Sequence, residues 1–72
     1  MTNWTEATAA NLAKIAEEFD RAAAHARTAA KHFEERNVPR GCAHIVAAEG
    51  HLVNARKSLD DVAKVHAAHA VP

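Results

Sequence analysis

One cysteine, two glycines and two prolines are all that the 72 residues contain of the types that staple or interrupt a chain. The single thiol, Cys42, excludes an internal disulfide framework. Of the prolines, Pro72 is terminal and only Pro39 is internal, so no ring breaks a helix on either side of it. Net charge is missing as well. Nine Lys and Arg balance nine Asp and Glu, which removes the global field that would draw the chain to nucleic acid or to an anionic membrane. No stretch approaches the roughly 20 consecutive apolar residues of a membrane span. The first residues lack the basic start and apolar run of a secretory signal, and the expected setting is the cytoplasm. Glycine-rich phosphate loops, Cys-x-x-Cys pairs, a serine nucleophile elbow and the Glu-x-x-His pair of di-iron bundles are all absent. An enzyme is therefore not expected, nor is a resident cofactor.

What is there instead is alanine, 19 residues of it. Alanine loses no side-chain entropy in a helix and is its best former, so the composition predicts an all-α chain. Asn3 followed by Glu6 has the spacing of a capping box, which starts a helix near Trp4. From there Leu12, Ile15, Phe19, Ala22, Ala26, Ala29 and Phe33 repeat with alternating steps of three and four, an a/d heptad seam. Ala9, Ala16, Ala23 and Ala30 widen it at e. The outer side carries Lys14, Glu17, Asp20, Arg21, Arg27, Lys31 and Glu34, mixed signs that suit a solvated surface better than a phosphate track.

The first helix is expected over about residues 4–36 and the second over about 39–69, with a loop near 37–39. Asn37 can take the left-handed conformation that ends a helix, and Pro39 suits the first turn of the next one. The seam resumes as Ile45, Ala48, Leu52, Ala55, Leu59 and Val62. Folding the halves together pairs Phe33 with Ile45, Ala29 with Ala48, Ala26 with Leu52, Ala22 with Ala55, Phe19 with Leu59 and Ile15 with Val62, layer by layer. The predicted fold is an antiparallel two-helix hairpin forming a single domain. Two helices side by side leave much of each apolar face wet, so the hairpin is expected to dimerise into a four-helix bundle.

That architecture resembles the small Rop-type RNA-regulating hairpins of plasmids. The resemblance covers the helical pattern alone, and no residue carries a role across. The leading expectation is a protein-protein interaction or adaptor module acting as a homo-oligomer, with itself and another protein as partners, no membrane, and nucleic acid disfavoured. A Rop-like RNA-binding hairpin is the third reading.

The second reading rests on histidines. His25 and His32 lie seven residues apart, as do His44 and His51, and all four fall at g. In an antiparallel hairpin g flanks g, which sets His25 beside His51 and His32 beside His44. Imidazole is the commonest metal ligand and titrates near neutral pH, so these four are the candidate zinc or copper ligands of a metal-binding or pH-responsive bundle. Residues seven apart are about 10.5 Å apart along a helix, which makes each rung a separate two-histidine site, fewer ligands than zinc ordinarily takes. Charging facing rings sets like charges opposite each other, so stability is expected to drop as the pH falls from about 7 to about 5. His66 and His69 fit a helix C-terminus by charge and capping, and Cys42 fits a small, buried residue at the bundle end. Gly50, inside the second helix, marks either a close neighbour or a weak spot.

Overall fold

A computed structural model describes residues 3–71. Helix α1 spans Trp4–Glu34 and helix α2 spans Val38–His69, packed antiparallel against each other. Among the described residues there is no strand, and no helix is long and apolar enough to cross a membrane. Asn3 caps α1: its Oδ1 accepts the Glu6 N–H at 2.9 Å and the Thr5 hydroxyl at 2.5 Å. Spacing alone predicted that start.

The turn comes earlier than the sequence predicts, and its roles fall on different residues. Helix α1 ends at Glu34, not Arg36, and the left-handed residue is Arg36, at φ 60°, not Asn37. The Asn37 N–H donates to the His32 carbonyl at 2.8 Å and the Arg36 N–H to the Phe33 carbonyl at 3.0 Å, the paired bonds of a Schellman ending. Asn37 is thereby free to cap α2, its Oδ1 accepting the Arg40 N–H at 3.4 Å. One residue cannot both turn left-handed to end α1 and stay at negative φ to cap α2. The cap contributes about 1 kcal/mol, comparable with the left-handed cost that falls on Arg36. Helix α2 therefore begins at Val38, one residue early, and Pro39 stands in its first turn, where a missing N–H is no loss.

The seam between the helices is rotated by one heptad row from the expected one. On α1 it runs Ile15, Glu18, Ala22, His25, Ala29, His32, and on α2 Gly41, His44, Ala48, His51, Ala55, Ser58, Val62, Val65, all buried or half-buried. These are d and g positions. Most of the a row that should have closed the hairpin faces outward instead: Phe19 is 45% exposed and Ile45 51%, with Leu12, Phe33 and Leu52 similarly open, and only Leu59 is half-buried. The d rows explain the shift. They are mostly alanine, so the helices can approach to a separation that flat imidazoles fill but facing Phe and Leu side chains would hold open. Phe33 accordingly lies against Gly41, where a Cβ would stand 2.5 Å from its ring.

Candidate functional site

Rotating the seam brings all four predicted histidines between the helices. Each helix supplies two, at g positions a heptad apart, and the antiparallel packing interleaves them in one column. The ring of His32 stacks on His44 with centroids 5.4 Å apart, His44 meets His25 at 5.2 Å, and His25 stacks on His51 at 5.4 Å. The two rungs read from the sequence, His25 with His51 and His32 with His44, are both present. What spacing along one helix did not reveal is that they are joined. His25 and His44 face each other with Nδ1 to Nδ1 at 2.9 Å, a hydrogen bond that needs one ring as donor and the other as acceptor.

The two ends of the column are finished differently. His51 Nδ1 lies 2.6 Å from Glu18 Oε2, a charge-assisted contact when the ring is protonated. That contact holds the Glu18 carboxyl below the usual carboxylate value, partial burial opposes it, and Asn54 and Arg21 reinforce it. At the turn end the Nδ1 of His32 is buried without a hydrogen-bond partner, and the nearest carboxylate, that of Glu35, stands 4.0 Å away and half in solvent. Glu18 was not among the predicted residues. The signal for it was in the same row, since Glu18, His25 and His32 succeed one another at intervals of seven.

The column presents imidazole nitrogens in pairs. Among the described residues no three His, Cys, Asp or Glu side chains converge as a metal centre needs, so any zinc or copper held by His25, His32, His44 or His51 would have to draw further ligands from outside the hairpin. The remaining candidates lie elsewhere. His69 stacks on Trp4 at 4.2 Å with the rings 11° from parallel, fastening the open end of the hairpin with an aromatic pair. Cys42 is exposed rather than buried, because the helix turns its e row away from the seam. Gly50 has nothing within 4 Å of where a side chain would begin, which makes it a weak spot and not a close approach.

Comparison of the chain with known protein families, curated proteins and solved structures finds no match.

Proposed function

We propose that the chain is a self-associating interaction module, in which two hairpins pack by their a-row faces into a four-helix bundle that is presented to another protein. The observation that carries this is the row of large apolar side chains left outside the seam: Leu12, Phe19 and Phe33 on α1 with Ile45 and Leu52 on α2. Their common heptad position puts them on one side of the hairpin, while Lys14, Arg21, Arg40 and Asp61 at c line the other. Surface area supports the same reading. The hairpin exposes 5544 Å², whereas a compact monomer of this mass exposes about 4,300 Å². The excess of roughly 1,200 Å² per chain falls in the range that each partner of a homodimer buries. A binding role in the cytoplasm, without catalysis or a resident cofactor, fits the absence of catalytic motifs in the sequence.

Sedimentation equilibrium at tens of micromolar tests it. The expected mass is twice the 7.7 kDa of one chain, and the Phe19→Glu, Leu52→Glu double variant is expected to return to one chain while keeping its helix content. A parent that stays at one chain throughout that range overturns the proposal.

A further inference from the structure

The seam is poor in apolar bulk. Its buried side chains are Ile15, Ala22, Ala29 and Ala55, and apart from the Phe33 ring that lies on Gly41 the largest groups spanning the two helices near the turn are the four imidazoles.

We propose that the imidazole column is a proton-operated fastener, closed while its inner pair holds a single Nδ1 proton and opened in mild acid when that pair is forced to take a second. The inner pair is His25 and His44, with one Nδ1 facing the other at 2.9 Å. One proton between those nitrogens makes the hydrogen bond. A second proton leaves no acceptor and sets two cations face to face across the seam. The groups around them give no relief. From α1 the column is met by Glu18, which is engaged with His51 at 2.6 Å, and by Glu35, which stands near His32 at 4.0 Å. From α2 it is met by no carboxylate, and among the described residues none lies within 4.0 Å of a ring nitrogen of His25 or His44. Arg21, near Glu18, adds positive charge. The outer rings, His32 and His51, have carboxylates to face and the inner ones have each other.

The sign follows from linkage. Separating the helices lets His25 and His44 each bind a proton where the facing pair holds one, so that pair takes up more protons in the open state and its part of the stability falls as the pH falls. The window is the range over which imidazole ordinarily charges, from about pH 7.5 to about pH 5.5. Each proton taken up only by the open state lowers the folding equilibrium constant about tenfold per pH unit.

The test is a set of urea denaturations at half-unit intervals from pH 8 to pH 5, in chelator and at two protein concentrations, so that loss of self-association reads separately from opening of the seam. The parent is expected to lose at least tenfold in folding constant between pH 7.5 and 5.5 at both concentrations. The His25→Gln, His44→Gln variant is expected to lose less than half of that, while the His66→Gln, His69→Gln variant falls with the parent. A flat parent profile overturns the proposal, as does an inner-pair variant that falls in parallel with the parent. Should the inner-pair variant fail to fold, nitrogen-15 spectra of the parent's imidazoles decide. One proton shared by the inner pair down to the pH of unfolding supports the fastener, and both Nδ1 atoms protonated in the folded state sink it.

Discussion

Ile15 and Phe19 lie one turn apart on the same helix and were expected in the same seam, yet Ile15 is 4% exposed and Phe19 45%. The first belongs to the d row, which both the expected and the observed seam contain. The second belongs to the a row, which the observed seam excludes in favour of histidines. Hydrophobicity alone did not choose the interface, since the excluded row is the more apolar of the two. The alanines between did, by setting how near the helices come. The hairpin thus has an inner face held by small residues and stacked rings and an outer face rich in large side chains.

The largest test of that division is a pair of truncations. Ile15→Ala is expected to destabilise the hairpin by about 2–5 kcal/mol, because it opens a cavity in a buried position. Phe19→Ala is expected to cost less than about 1 kcal/mol at concentrations where the chain is monomeric, with the loss growing as concentration rises and self-association contributes. Chemical denaturation over a hundredfold range of concentration measures both. Equal losses for Phe19→Ala at every concentration would place that ring in the hairpin's own core.

The two glycines of α2 sharpen the same contrast. Adding a methyl at Gly41 drives a Cβ into the Phe33 ring, and overpacking of this kind costs about 1–3 kcal/mol against the roughly 1 kcal/mol that alanine returns in helix propensity. Gly41→Ala is expected to destabilise, by on the order of 1 kcal/mol net, and to be rescued by Phe33→Ala. Gly50→Ala meets open space and is expected to stabilise by about 1 kcal/mol. Thermal melts that move both variants in the same direction would contradict the packing at Gly41.

The smallest expected effect is at Glu18. Its carboxyl is held below the ordinary value chiefly by the hydrogen bond to His51. A group whose value is lower in the folded chain contributes stability above the unfolded value and loses it as the pH falls through the folded one. Glu18→Gln is therefore expected to melt below the parent at pH 6, with the gap closing as the pH drops below 4.5. A gap that stays constant down to pH 3 would mean the carboxylate charge is not what His51 recognises.

Much of this was legible from spacing. Alternating steps of three and four, one internal proline and the Asn3 cap predict two helices and their antiparallel pairing, and heptad position pairs His25 with His51 and His32 with His44. The rotation of the seam was not legible, because a helix with alanine at both d and e presents no sharp apolar edge. Patterns that mark which rows are apolar do not say which two rows will face the neighbour. The joining of the rungs escaped for a related reason: it depends on how closely the helices approach, a distance set by residues on both. The handover of the left-handed turn from Asn37 to Arg36 reflects two roles competing for one side chain.

The stack of Trp4 on His69 has a practical consequence. The chain has one tryptophan and no tyrosine, so absorption beyond the phenylalanine band, and the emission excited there, come from a single ring placed where the two helices part. Helix content measured in the far ultraviolet reports on the whole rod, while that ring reports on its last turn alone. Coincident transitions by the two signals would show the hairpin melting as a unit. An earlier change in emission would show it fraying from the open end, leaving the turn and the histidines as the last structured part.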